Sequence, residues 1–369
     1  MTPRILAACS PGEIRVAVAD GDLLLDYAIH RPGAPDGVGD IHRGRILARV
    51  PAMAGAFVAI VGADGFLPDS DGAAGRGDGD ILTVRITRAA QGGKGPRLRA
   101  VAAPVVAALG DSPAPALLRG GPDALERLAA LYPDAPILLD DAAQAPRYQR
   151  QFGTRLSIVT QAFDDAIATA AEALAQPSIT LAGGGTMHIQ PTNALVAIDI
   201  DAGTRSGART DKNTAQRTAN RAMIPELARQ IRLRNLAGAI LVDFAGLSTR
   251  RRTALGPELA AALRPDPQHP RLLGFTQLGL AEIVRPRTHP PLHEVLAGPH
   301  PAGLHALRQM AGEIRTNPAR QPSLRAAPAI IAALQADSFA MADITARAGR
   351  PPVLRADPNL PPTSWTLEP

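Results

Sequence analysis

The sequence predicts a multidomain α/β chain that contains a small β-barrel. Residues 40–100 hold five or so short apolar strands separated by turns, which is typical of a closed barrel such as an OB-fold. Residues 103–175 mix helical and strand patterns. Further along, two apolar strands at 194–201 and 238–244 flank a basic helical segment. A length of 369 residues is sufficient for two or three domains.

The predicted strands are placed by apolar runs that end at Gly, Pro and Asp. Residues 4–30 predict a β-meander whose turns contain Gly12 and Gly21, and the loop 30–37 follows it. The barrel strands are predicted at 41–50, 55–61, 65–67, 81–89 and 97–102, a buried strand at 136–139, a hairpin at 180–190, and a strand or turn region at 276–287.

Helices are predicted where apolar residues recur with helical spacing. They lie at 121–131, 163–175, about 213–234, 256–263, 304–314 and 326–334. Pro225 interrupts the basic segment 213–234, so we expect a kink there or the start of a second helix.

Composition limits the class of protein. The single cysteine, Cys9, excludes an intrachain disulfide and a cysteine-rich zinc site within one chain, and it fits a reducing compartment. No apolar run approaches the ~20 residues of a membrane helix. The sequence therefore predicts a soluble, cytoplasmic protein with no membrane partner.

Each of the two apolar strands near the centre carries an aspartate, Asp199 or Asp243. A carboxylate is rare in buried strand sequence because desolvating it is costly unless it is paired. A shared Mg²⁺ would pair both, since that ion prefers oxygen ligands. Between Asp199 and Arg252 eleven Arg or Lys residues stand against five Asp or Glu, and this basic field suits a phosphodiester substrate. Aspartates that cap turns at strand ends also produce this pattern.

The order of motifs resembles the ribonuclease E/G family of bacterial endoribonucleases. The resemblance is carried by residues 197–201, Asn220, the segment 226–238 and the segment 242–244. Weaker matches in the same order are residues 44–46, 55–58, 65–68 and 278–287.

The resemblance implies an OB-fold inserted in a ribonuclease-H-like domain and followed by a deoxyribonuclease-I-like catalytic domain. The implied divisions are a ribonuclease-H-like domain at 1–37 plus 103–175, an OB-fold RNA-binding domain at 38–102, a deoxyribonuclease-I-like domain at 176–300, and a small C-terminal region at 301–369.

The resemblance also implies chemistry. Asp199 and Asp243 would bind Mg²⁺, and cleavage of single-stranded RNA would leave a 5′-phosphate and a 3′-hydroxyl, in RNA processing or decay. Asp201 stands where the family usually has Asn, so it is either a third ligand or an orienting group. Arg205 and Arg209, after the first aspartate strand, are candidate phosphate contacts.

Phe57, Phe66 and Lys94 form a second predicted site, on the OB-fold. Exposed aromatic rings on such a barrel stack unpaired bases, a nearby lysine meets phosphate, and Arg88 adds to the same surface. The alternative is that both phenylalanines fill the barrel core, because Phe is usually buried.

The chain departs from the family pattern at several points. Gln277 replaces an expected arginine, and Ala245-Gly246 replaces a second acid after Asp243. No segment matches the 5′-monophosphate pocket of larger members, and His289 and His293 stand where a cysteine pair would hold zinc. An RNA-binding protein with weakened catalysis is therefore the alternative function, and a homodimer is left open.

Overall fold

The computed structural model describes residues 2–102, 105, 112–181, 184–201, 212–244, 246–317, 319–320 and 322–369, with the side chains of 212–215 excepted. These residues divide into two compact units. The first unit is drawn from the ranges 1–39, 120–171 and 293–369, and the second from 40–119 and 172–292. The four-part division given above is finer and stays a prediction.

The described residues form strands that are numbered in chain order. They are β1 (Arg4–Ser10), β2 (Glu13–Asp20), β3 (Leu23–His30), β4 (Ile41–Val50), β5 (Gly55–Ile60), β6 (Ala63–Pro68), β7 (Ile81–Arg88), β8 (Arg97–Ala100), β9 (Ala116–Arg119), β10 (Ile137–Leu139), β11 (Leu156–Ile158), β12 (Ser178–Thr180), β13 (Thr186–Pro191), β14 (Val196–Asp201), β15 (Gly238–Phe244), β16 (Arg271–Phe275), β17 (Ala281–Arg285), β18 (Ser323–Ala326), β19 (Leu354–Ala356) and β20 (Trp365–Glu368).

Each of the six predicted helical segments overlaps an observed α-helix. The α-helices span Ala124–Leu131, Ala145–Phe152, Asp165–Ala173, Lys212–Leu233, Thr249–Thr253, Gly256–Leu263, Leu292–Val295, Pro299–Thr316, Pro328–Ala336 and Ser338–Ala348. The basic helix Lys212–Leu233 runs through Pro225, so a second helix does not begin there.

The first unit is built on a five-stranded sheet in the order β11-β10-β1-β2-β3. The meander β1–β3 is antiparallel and its two-residue turns contain Gly12 and Gly21, both at positive φ. β10 and β11 add in parallel beside β1. A second, three-stranded sheet in the order β19-β18-β20 packs with the C-terminal helices around Leu324 and Ile330.

The barrel belongs to the second unit. β4 pairs with both β5 and β7, which closes a barrel of five strands in the order β4-β5-β6-β8-β7. β9 pairs with the first residues of β4, on the side opposite to β7. The inward residues of alternate positions, among them Ile46, Val58 and Leu98, are fully buried. This closed barrel confirms the predicted OB-like architecture.

The other sheet of the second unit has six strands in the order β12-β13-β14-β15-β17-β16. Only β14 and β15 are parallel to each other among its neighbouring pairs. One face carries Ile198, Val242 and Ile283 and packs against the helices that contain Leu227 and Leu259. The opposite face is less buried and carries Asp199 and Asp243 beside Leu241 and Val284.

No single helix among the described residues is both long and apolar enough to cross a membrane. The helices Pro328–Ala336 and Ser338–Ala348 meet the length and composition test only as a pair, and they are bent by 89°.

Candidate functional site

The two strand aspartates lie side by side. β14 and β15 are parallel neighbours, and their register pairs Asp199 with Asp243. Ile198 and Phe244, each adjacent in sequence to one of them, are buried in the core, so both carboxylates project from the opposite face. Neighbouring strands lie about 4.8 Å apart, which is close enough for the two carboxylates to reach one ion.

Two further polar residues share this face. Asp201 follows Asp199 by two residues and is exposed, so it lies further along the same strand. His188 on β13 is paired in register with Asp199, and its Nδ1 is 2.8 Å from the hydroxyl of Ser178 on β12. A polar row, Ser178, His188, Asp199 and Asp243, therefore crosses four strands.

Arg252 holds one oxygen of Asp243. Its Nη1 lies 2.6 Å from Asp243 Oδ1, an ion-pair contact that lacks the geometry of a hydrogen bond. Oδ1 is buried, yet the Asp243 side chain as a whole is 45% exposed. The exposed part of the carboxylate is therefore the part away from Arg252, where an ion can approach.

Other cations of the basic segment have structural partners. Arg221 is 2.6 Å from Glu258, and Arg234 donates to the backbone carbonyls of Leu174 and Gln176. Burial lowers the pKa of Arg234 to about 10. Arg205 and Arg209 lie outside the described residues. Part of the local positive charge thus stabilises the fold and is not available to a substrate.

The described residues contain no group of three or more His, Cys, Asp or Glu side chains placed to hold a metal ion. Asp199 and Asp243 are therefore a two-carboxylate arrangement. Mg²⁺ is commonly held by one or two carboxylates together with several waters, so the donor set fits that ion.

The predicted aromatic pair lies on the barrel surface. Phe57 and Phe66 are in register on β5 and β6, with ring centroids 5.6 Å apart in an edge-to-face arrangement. Phe57 is 37% exposed, Phe66 is half-buried, and neither belongs to the barrel core. A Cβ at Gly55 would lie 2.5 Å from Phe66 Cζ, so the absence of a side chain at Gly55 makes room for the ring.

Lys94 is exposed in the loop that precedes β8. Gln91 and Lys94 exchange backbone hydrogen bonds at 3.1 Å, and Pro96 O accepts a hydrogen bond of 2.8 Å from Phe66 N. The loop is thereby fixed beside the strand that carries Phe66. Arg88, at the end of β7, is half-buried and is paired in register with Arg97.

Three residues of the polar sheet face and of the barrel surface were not predicted as site residues from the sequence. They are His188, Arg252 and Arg97. The alternation of buried and exposed residues along β13 would have placed His188 on the polar face. The contact between Arg252 and Asp243 has no comparable signal, because it joins a strand to a helix through tertiary structure.

Comparison with known proteins is consistent with this geometry. The ribonuclease E/G family model matches residues 146–288. Ribonuclease E of Nostoc sp. is 37% identical over 141 residues, which are 37% of this chain and 20% of that protein. Ribonuclease G of Haemophilus influenzae is 37% identical over 119 residues, which are 32% of this chain and 24% of that protein.

The chain thus spans about a quarter or less of the length of these curated relatives. The matched segment contains β14, β15 and the helix between them, and it begins after the barrel. Over residues 146–288, which include both strand aspartates, the chain is similar to the ribonuclease E/G family.

Proposed function

We propose that this chain is a Mg²⁺-dependent endoribonuclease that cleaves single-stranded RNA. The observation that carries the proposal is the in-register pairing of Asp199 with Asp243 on one polar face of the sheet. The names of the related proteins, ribonuclease E and ribonuclease G, support the same activity.

Asp199 and Asp243 would hold the ion, with Asp201 as a third ligand or an orienting group. When bound, Mg²⁺ lowers the pKa of a water molecule and neutralises charge on the phosphate. Arg252 keeps Asp243 Oδ1 fixed, so that the rest of this carboxylate faces the ion.

The barrel would bind the RNA. Unpaired bases would stack on the rings of Phe57 and Phe66, which lie in register on the barrel surface. Lys94 and Arg88, on the same barrel, would contact the phosphates of the bound strand. A duplex hides its base faces, so this surface favours single strands. Arg205 and Arg209 remain proposed phosphate contacts on the chain segment after Asp199.

The proposed fold assignment follows from the two units. The five-stranded sheet with its antiparallel meander and two added parallel strands supports a ribonuclease-H-like domain, and the six-stranded sheet supports a deoxyribonuclease-I-like catalytic domain. We infer a role in RNA processing or decay in the cytoplasm, with a homodimer left open.

The test is cleavage of a 3′-labelled, A/U-rich single-stranded RNA with and without Mg²⁺. The wild type, Asp199→Asn and Asp243→Asn are compared with Asp134→Asn, a change at an exposed carboxylate of the first unit. We expect cleavage with Mg²⁺ by the wild type and the control only, with products that carry a 5′-phosphate. Equal cleavage by Asp243→Asn and the wild type would refute the proposal.

The second candidate is an RNA-binding protein with weakened catalysis. Gln277 in place of an arginine and Ala245-Gly246 in place of an acid favour it. This alternative predicts that the wild type and Asp243→Asn bind single-stranded RNA with similar affinity in a gel-shift assay. It also predicts that neither protein cleaves the RNA in Mg²⁺ or Mn²⁺.

A further inference from the structure

A row of four side chains crosses the barrel surface. Register pairs Phe57 with Phe66, Phe66 with Arg97, and Arg97 with Arg88, over the strands β5, β6, β8 and β7. Paired residues on neighbouring strands share a face of the sheet. The two aromatic rings are therefore continued across the barrel by two guanidinium groups.

The row ends where the barrel meets the six-stranded sheet within the second unit. Ala89 N donates a hydrogen bond of 2.9 Å to Thr288 O, so the preceding residues Arg88 and Arg287 are brought together. Arg287 lies against Gly238 at the start of β15. A Cβ at Gly238 would be 2.4 Å from Arg287 Nη2 and 2.6 Å from Nε, so glycine lets the guanidinium lie against the backbone here, and Gly238 also has a positive φ of 84°.

Positive charge at this place exceeds the negative charge that compensates it. Within the described part of the chain, neither Arg88 nor Arg287 has an acid at ion-pair distance, and Arg88 Nε is buried without a hydrogen-bond partner. Asp71 contacts Arg97 at 3.1 Å but also contacts Arg99 at 2.9 Å. Burial, Arg97 and Arg287, in that order, lower the pKa of Arg88.

The half-buried Arg88 and the exposed Arg287 thus lie together without an acid of their own among the described residues, and a bound anion would offset their repulsion. A guanidinium donates two parallel hydrogen bonds to a phosphate, and several of them can share one phosphodiester strand. We propose that Arg88, Arg97 and Arg287 form a phosphate-binding site, the arginine site, that carries the RNA backbone from the barrel to the six-stranded sheet. The proposal rests on the proposed function for the identity of the polyanion.

The arginine site is separate from the carboxylate pair. Gly238 and Asp243 are five residues apart on β15, and a strand rises about 3.3 Å per residue, which gives roughly 16 Å. A phosphate at the arginine site is thus not the one that is cleaved. Its contribution is to affinity and to the path of the strand.

The salt dependence of RNA binding tests the proposal. A fluorescent single-stranded RNA is titrated in EDTA, where metal-dependent cleavage is prevented, at a series of KCl concentrations. Arg88→Gln, Arg287→Gln and the double variant are compared with Arg150→Gln, an exposed arginine of the first unit. Thermal melting of each variant shows that it is folded.

For single strands the slope of log K against log salt changes by about 0.7 for each phosphate contact that is lost. We expect that Arg88→Gln and Arg287→Gln each weaken binding and reduce the slope by that amount, and that Arg150→Gln leaves it unchanged. Slopes in the folded variants that equal the control would overturn the arginine site.

The outcome is distinguishable from failure of the proposed function. Reduced slopes in a protein that does not cleave RNA would refute the nuclease and retain the arginine site. Mg²⁺-dependent cleavage together with unchanged slopes would refute the arginine site and retain the nuclease.

Discussion

Arg252 Nη1 lies 2.6 Å from Asp243 Oδ1, and this contact leaves the other side of the carboxylate exposed. Arg252 itself is 15% exposed, and its aliphatic part packs against Gly279, whose Cβ would lie 3.1 Å from Arg252 Cδ. The arginine is therefore fixed between the short helix Thr249–Thr253 and the turn before β17. We regard it as a positioning residue for Asp243.

The first prediction concerns this contact. Arg252→Ala frees Asp243 to rotate, and groups that orient a metal-binding carboxylate are typically worth about 10–100-fold in metal affinity or activity. We expect a fall of that size in the cleavage rate, with a higher Mg²⁺ concentration at half-maximal rate. The neighbour Arg250→Ala serves as the control of equal charge, because no acid is paired with Arg250 among the described residues. An unchanged Mg²⁺ dependence in Arg252→Ala would contradict the positioning role.

The second prediction concerns base stacking on the barrel. Phe57→Ala removes an exposed ring, and stacking of one base on an aromatic side chain is worth about 1–3 kcal/mol. Since about 1.4 kcal/mol corresponds to a tenfold change in affinity, we expect single-stranded RNA to bind about 5- to 150-fold more weakly. Fluorescence anisotropy measures this affinity. Leu47→Ala truncates an exposed apolar side chain of β4 and is the control. It should change the RNA affinity less than about twofold, because single apolar residues scattered on a surface are ordinary and need no binding role. Equal losses in both variants would argue against stacking.

The third prediction concerns Gly55. An added Cβ would lie 2.5 Å from Phe66 Cζ and 2.6 Å from Leu67 O, so the ring and the backbone of β6 must shift. We expect Gly55→Ala to lower the free energy of unfolding by about 1–3 kcal/mol, as overpacking does, and to weaken RNA binding. Gly77→Ala is the matched control, since no atom lies within 4 Å of its Cβ position. Wild-type stability in Gly55→Ala would show that Phe66 does not lie over this residue.

The fourth prediction concerns a buried ion pair beneath the six-stranded sheet. Arg285 Nε donates to Asp266 Oδ2 at 2.8 Å, and Arg285 Nη1 donates to Asn235 Oδ1 at 2.6 Å. Both charged side chains are 5% exposed or less. Arg285→Ala leaves Asp266 buried and unpaired, so we expect a loss of about 3–5 kcal/mol in urea unfolding. Arg271→Ala, at an exposed position of β16, should cost less than about 0.5 kcal/mol. Similar unfolding midpoints for the two variants would disprove the assignment.

Much of the fold was predictable because local signals determine it. Gly12 and Gly21 mark the turns of the meander, and alternating apolar residues place the barrel strands. The C-terminal sheet was missed, because β19 and β20 have three and four residues and lie in a Pro-rich segment. The helix Ser338–Ala348 was also missed, although Asp337 caps its start by accepting from Ala340 N.

The candidate site divides in the same way. The sequence places Asp199 and Asp243 near the ends of two apolar strands, and the parallel pairing of these strands in the structure brings the two residues into register. Whether Phe57 and Phe66 point inward or outward could not be decided from sequence, because alternation fixes two faces without saying which one is the core. Arg88 and Arg287 are brought together by the backbone hydrogen bond from Ala89 to Thr288, which no local sequence pattern indicates.

The central claim is that Asp199 and Asp243 share one divalent ion, and Mn²⁺ binding followed by electron paramagnetic resonance tests it directly without any RNA. Mn²⁺ is suitable because it takes the same oxygen ligands as Mg²⁺. We expect one bound ion per chain in the wild type and in Asp134→Asn, and an affinity at least about tenfold weaker in both Asp199→Asn and Asp243→Asn. Folded variants at either position that bind Mn²⁺ as tightly as the wild type would contradict the claim.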